Sequence, residues 1–308
     1  MMVPEKHSQA SAWAVVPEQL ICYVRSTTQA VPVRLINCLG YEAADNLILI
    51  GYPLQDPLNH HDVQDSLTMA MKSTRAGKIT LLSSYAPSPD EVHENWLFEH
   101  RDSSDSRTGL DQYLSLALPV QNIPQKVRNL IRRAGREVNI QQGRNLEKQH
   151  FSLIEQYLKH RQLNTGTRHI FRNIGKYLQD CPGALAVSAW TEDNRLAGFS
   201  IGDYTGLETA FYMFSFRNPD TAPPGTADML LHELLTEGAK RGHRRMNLGL
   251  NVNPAIAFFK KKWKAQTFLP YVETTWTRRP GGWLATLWQR VIAKRDKLLT
   301  GTAFQHCS

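Results

Sequence analysis

PGTADMLLHELLTEGAKRGHRRMNLGLNVNPAIAFFKKKW, residues 224–263, decides the fold. A loop carrying Gly225 opens a helix predicted over Ala227–Arg241. Leu230, Leu231, Leu234, Leu235 and Ala239 recur at helical spacing and form its buried stripe. Gly242 stands where a helix stops, because a residue just past the last turn often needs a left-handed backbone. Residues 244–250 then read as a buried strand. Asn251–Pro254 reads as a turn, Ala255–Trp263 as a short helix and Thr267–Thr277 as a last strand.

Upstream, residues 184–204 (ALAVSAWTEDNRLAGFSIGDY) read as two strands joined at Glu192-Asp193-Asn194, and GLETAFYMFSF adds a third. Helices are predicted over Ile123–Glu137, Asn145–Arg161 and His169–Gln179. The first half is a second α/β unit. LICYV, VPVRLINCLG and NLILIGYP read as strands, Asp62–Lys72 as a helix and KITLLSS as another strand. Residues 1–18 read as a flexible tail. The domains expected are therefore 19–120 and 121–280, followed by an amphipathic basic helix within 281–308.

Three segments carry a family resemblance: Pro224–Leu231, Gly238–Gly249 and Ala257–Trp263, the last with a Phe-Lys-x-x-Trp pattern. Together they resemble the GNAT acyltransferase fold, and within it the Fem-type peptidyltransferases. The Arg-rich helix around Val127–Ala134 resembles the helix that precedes the transferase domain in Fem-type chains. The resemblance implies an α/β (α+β) fold of tandem GNAT-like domains, each a mixed, mostly antiparallel twisted sheet flanked by helices. It also implies an acyltransferase acting on an amine acceptor. The donor would be acyl-CoA, with aminoacyl-tRNA as the Fem-type alternative.

A helix N-terminus offers unpaired N–H groups and a partial positive charge, which suits a pyrophosphate. GNAT enzymes hold coenzyme A there with (Gln/Arg)-x-x-Gly-x-(Gly/Ala). Aligned on Gly225, this chain has Ala222 in the leading place and Ala227 in the last. Gly225, Thr226 and Ala227 are thus cofactor-binding candidates; the alternative is a loop glycine followed by a helix cap. Asn253, like Asn251, either binds a ligand or caps the turn.

Acyl transfer needs a positioned carbonyl, donors for the developing oxyanion and a route for the amine proton. GNAT enzymes often place a Tyr where this chain has Phe259, which cannot donate. The resemblance makes Lys260 the charge-stabilising group, beside Lys261 and Lys262, which read as surface charges. Asp203 and Tyr204 end a central strand and are further catalytic candidates; Glu208 and Tyr212 lie nearby. Asp228 reads as an answer to the helix dipole. Arg128, Arg132, Phe259 and Trp263 are the substrate-binding candidates.

The chain has 308 residues and a net charge of +8. Residues 121–149 hold seven basic and two acidic residues, and residues 238–266 hold eight basic and none acidic. These blocks suit phosphates, including those of tRNA. A non-catalytic module binding nucleic acid or anionic lipid is the reading from another class. The tail with Trp283, Leu284, Leu287, Trp288 and Val291 is an amphipathic basic pattern over 283–297, which would rest on an anionic membrane or pack on its own domain. No apolar run approaches the roughly 18–20 residues of a span, and no secretory signal is read. The four cysteines form no CxxC pattern, so neither a disulfide framework nor zinc is expected. His60-His61-Asp62 reads as a helix start, and no metal is expected. The expected location is cytoplasmic, with peripheral contact at the inner face of the membrane as a variant.

Overall fold

The computed structural model describes residues 10–87, 98–101 and 111–279. The predicted helix over 283–297 lies outside them. Twelve strands of the described residues form a mixed sheet: β1 (Val31–Leu35), β2 (Cys38–Ala43), β3 (Asn46–Gly51), β4 (Lys78–Ser83), β5 (Phe98–Arg101), β6 (Asp111–Ala117), β7 (Asn139–Gly143), β8 (Ala184–Trp190), β9 (Leu196–Asp203), β10 (Thr209–Arg217), β11 (Arg245–Asn247) and β12 (Gln266–Arg278). Their order is β1-β2-β3-β4-β12-β6-β11-β10-β9-β8-β7, with β5 also on β12.

Among the described residues eight α-helices accompany the sheet: α1 (Ile21–Thr27), α2 (His60–Ser73), α3 (Gln125–Ala134), α4 (Lys148–Lys159), α5 (Thr165–Arg172), α6 (Ile174–Asp180), α7 (Thr226–Lys240) and α8 (Pro254–Lys262). Each half contains one parallel strand pair joined through a helix, β3-α2-β4 and β10-α7-β11, and the remaining pairings are antiparallel. This repeated unit, set in one large sheet flanked by helices, is the mixed α/β arrangement expected.

The elements follow their local chemistry. All eight residues of β9 are buried, as befits a strand covered on both faces. Leu230, Leu231, Leu234 and Leu235 of α7 pack with Val187, Ala189 and Ala197 on one face. On the other, Leu153, Ile154, Tyr177 and Leu178 pack against Phe199, Ile201 and Phe216. Asn59 caps α2 by accepting from the His61 and Asp62 amides, which is the helix start read for this segment. Gly242 has φ +86, the left-handed stop expected after α7.

Four readings are corrected. Ile21–Val24 of LICYV lie in helix α1, not a strand, and Leu20 precedes it. The segment's β-branched content is overridden by tertiary packing: Ile21 buries in the central apolar cluster while Cys22 and Tyr23 face the cluster under α6. The helix expected over His169–Gln179 is two helices, α5 and α6, with Asn173 between them ending one and opening the other. Cys22 is disulfide-bonded to Cys181, across 159 residues of sequence. The two cysteines are far apart in the chain, so spacing could not pair them.

The fourth concerns the expected tail. From Ala10 onward it is packed. Val16 is fully buried, the Gln19 side chain accepts from the Val15 and Val16 amides, and Leu207 N–H donates to the Ala12 carbonyl.

Candidate active site

Lys260 lies in the last turn of α8. Asn253 caps the other end, its Oδ1 accepting from the Ile256 amide at 2.9 Å, and Pro254 takes the first helical position. Asn253 therefore fills the capping alternative. The Lys260 side chain is buried, at 2 % exposure. Its Nζ donates to the Gly249 carbonyl at 2.7 Å and the Leu250 carbonyl at 2.6 Å. Gly249 has φ +75, which lets the chain leave β11 and turn these carbonyls toward α8. The Gly249 carbonyl also accepts from the Leu114 amide of β6. Lys260 thus sits where β6, β11 and β12 bring the two halves together.

The packed N-terminal segment closes this junction. Asn247 Nδ2 donates to the Val15 carbonyl at 2.8 Å, and Asn247 Oδ1 accepts from the Gly249 amide at 2.8 Å. Glu18 projects into a ring of tyrosines. Tyr113 of β6 donates to Glu18 Oε2 at 3.0 Å. Tyr52 donates to the Ser83 and Pro270 carbonyls, and its ring meets Tyr113 edge-on at 5.9 Å. Burial raises the Glu18 carboxyl above its ordinary range, and its own backbone amide and Tyr113 offset part of that. Two buried atoms near the junction have no hydrogen-bond partner among the described residues: Tyr41 Oη and Asn251 Oδ1. Such groups are rare in folded interiors.

The start of α7 is built differently. Gly225 has φ +96, and a Cβ there would lie 2.3 Å from the Leu130 carbonyl oxygen. The glycine therefore admits the backbone of α3. Thr226 is fully buried and donates from Oγ1 to the Pro223 carbonyl at 2.7 Å; Ala227 is half-buried beside it. Asp228 is buried and tied on both oxygens. Trp263 Nε1 donates to Oδ1 at 2.9 Å, and Lys262 Nζ to Oδ2 at 2.7 Å. Asp228 thus clamps α8 to α7, more than a dipole partner. Trp263, expected to touch substrate, is 1 % exposed and serves this clamp. Lys262, expected on the surface, is its counter-charge. Lys261 is exposed as expected. Phe259 is half-buried against the α7 core.

Asp203 and Tyr204 are not brought to Lys260. Asp203 accepts from Tyr177 OH at 2.6 Å and from the Thr205 amide at 2.8 Å, so it pins β9 to α6. Tyr204 donates to the Leu234 carbonyl at 2.9 Å, with the Arg241 guanidinium 4.5 Å over its ring. Tyr204 does line a cavity of about 650 Å³ between the N-terminal segment and α6, with Arg25, Ser26, Lys176, Asp180 and Thr205. Arg128 and Arg132 are exposed on α3, held by Gln125 and Asn129 of the same helix. Among the described residues no group of three or more His, Cys, Asp or Glu could hold a metal, and no helix is long and apolar enough to cross a membrane.

Sequence reasoning missed Glu18, Tyr113, Tyr41 and Asp228's clamp. Glu18 fell in the presumed tail, where Val15-Val16-Pro17 just ahead of it was the available sign of packing.

The fold has solved counterparts. FemX superposes with a TM-score of 0.60 at 10% identity, covering 89% of this chain and 96% of FemX. The C-terminal domain (DUF2156) of an Agrobacterium fabrum protein described as a lysylphosphatidylglycerol synthetase gives 0.57 at 12%, covering 94% and 95%. L-PGS from Bacillus licheniformis gives 0.51 at 13%, covering 88% and 96%. No curated protein matches the sequence. The model of the family "Phosphatidylglycerol lysyltransferase, C-terminal" matches residues 38–300, and the chain belongs to that family.

Proposed function

We propose that this chain is an aminoacyl transferase, taking the aminoacyl group from a tRNA and passing it to a lipid head group or another envelope precursor. The observation that carries the reading is the buried Lys260 ammonium at the junction of the halves, in a chain that matches the lysyltransferase family over 38–300. The acceptor hydroxyl or amine attacks the aminoacyl ester carbonyl. A new bond forms to that carbon, the ester C–O bond breaks, and the acceptor proton ends on the departing ribose oxygen. Lys260 stabilises the negative charge that builds on the carbonyl oxygen, in surroundings where water does not screen it. Arg128 and Arg132, exposed on α3, supply phosphate contacts for the tRNA. The acyl-CoA donor expected from Gly225 draws no support from the loop, whose glycine is filled by the Leu130 backbone.

The test is a transfer assay with lysyl-tRNA labelled on the amino acid. Vesicles containing phosphatidylglycerol are compared with vesicles lacking it, and with peptide amines. Label moving into the lipid extract supports the reading. Label staying on tRNA with every acceptor, while acetyl-CoA is consumed, overturns it.

A further inference from the structure

We propose that Glu18, backed by Tyr113, is the proton acceptor of this site: it removes the proton from the attacking hydroxyl or amine and returns it to the ribose oxygen that leaves. The role rests on the aminoacyl-transfer reading. Glu18 lies ahead of the family match, which begins at residue 38, so the family gives no role for it.

The first support is position. Tyr113, which holds Glu18 Oε2, immediately precedes Leu114, whose amide bonds the Gly249 carbonyl. That same carbonyl takes the Lys260 ammonium at 2.7 Å. Glu18 and Lys260 are therefore linked through the neighbouring residues Tyr113 and Leu114 of β6.

The second support is elimination. Among the described residues the buried acids Asp203 and Asp228 are committed: Asp203 to Tyr177 and Thr205, Asp228 to Lys262 and Trp263. Tyr113 is the side chain that bonds Glu18 among the described residues. The third is unmet demand. Tyr41 Oη and Asn251 Oδ1, buried without partners among the described residues, come from opposite halves. Tyr41 belongs to the same apolar cluster as Tyr113 and Leu250. A polar ligand entering the junction would satisfy such groups.

Among the described residues the groups whose ionisation the Glu18 charge raises are phenols: Tyr23 of α1, Tyr41 of β2, Tyr52 after β3 and Tyr113 of β6. Each has its own ionisation pushed up, first by burial and then by the Glu18 charge, so all are neutral near pH 7. A carboxyl in such a setting holds a proton more tightly than one in water, which suits a base working near neutrality.

The experiment is Glu18→Gln in the full chain, assayed for transfer from lysyl-tRNA across pH, with melting temperature and tRNA binding measured in parallel. General base catalysis supplies roughly 10²–10⁴-fold. The expected result is a loss of kcat in that range, disappearance of the acid limb of the pH profile, unchanged tRNA binding and no loss of melting temperature at pH 8. Tyr113→Phe is expected to move the acid limb to higher pH, because it removes a bond to the charged carboxylate. A Glu18→Gln enzyme with the wild-type profile overturns the proposal. So does one whose activity falls only in step with its melting temperature. Absence of transfer by the wild-type chain with every acceptor overturns the underlying reading and the Glu18 role with it.

Discussion

The start of α7 and the junction around Lys260 are both rich in polar groups, yet they differ in how those groups are met. At the start of α7 the buried side-chain groups are answered within the chain. Gly225 admits the Leu130 backbone, Thr226 bonds Pro223, and Asp228 takes both Lys262 and Trp263. At the junction Lys260 bonds two carbonyls and Glu18 is held by Tyr113, while Tyr41 Oη and Asn251 Oδ1 go unanswered among the described residues. A motif that would serve a ligand elsewhere serves packing here, and an unsatisfied interior marks a place for chemistry.

The largest effect should come from the junction. Lys260→Met keeps an unbranched chain and removes the charge. Transfer from lysyl-tRNA is expected to fall by about 10²–10³-fold, the usual loss when one preorganised oxyanion donor is removed. Steady-state kinetics checks this, and a variant with normal kcat would return Lys260 to a purely structural role.

Asp228→Ala sharpens the contrast from the other side. It leaves Trp263 Nε1 buried without an acceptor and Lys262 without its counter-charge, at a cost of about 2–3 kcal/mol in stability. Denaturant unfolding should show that loss, while turnover per folded molecule stays within a few-fold of wild type. A collapse of turnover in fully folded protein would make the α7 start part of the chemistry.

Gly225→Ala is the smallest of the three, at about 1–3 kcal/mol, from a strained positive φ and a Cβ pressed on a backbone carbonyl. Its melting temperature should fall with no change in the KM for lysyl-tRNA. A raised KM at unchanged stability would restore a ligand role to the loop.

Much of the second half was legible from sequence because periodicity and punctuation agree there. The α7 leucine stripe, the Gly242 stop and the Asn253 cap each have one local cause. LICYV was misread because its residues favour strands in isolation, and only contacts with distant elements make them helical. The site was half legible. Lys260 stood in a motif that the family resemblance could interpret. Glu18 had no motif at all, since its partner Tyr113 is 95 residues away. Asp203 and Tyr204 were placed at a strand end correctly, but their side chains are spent on Tyr177 and Leu234, which no spacing rule reveals.

Strand β12 carries a consequence for how the molecule is made. Its first residues pair with β6, and its last with β4 and β5. Thr80 and Thr275, joined across that last pairing, are 195 residues apart in sequence. During synthesis the first half therefore emerges with β4 paired to β3 but open on its other edge, and it stays so until Gln266–Arg278 has left the ribosome. An open strand edge of that kind invites pairing with other chains, and contacts of such long range fold slowly. Shortening the protein ahead of Gln266 would leave both halves with a bare edge, so the smallest unit that folds cleanly runs through Arg278.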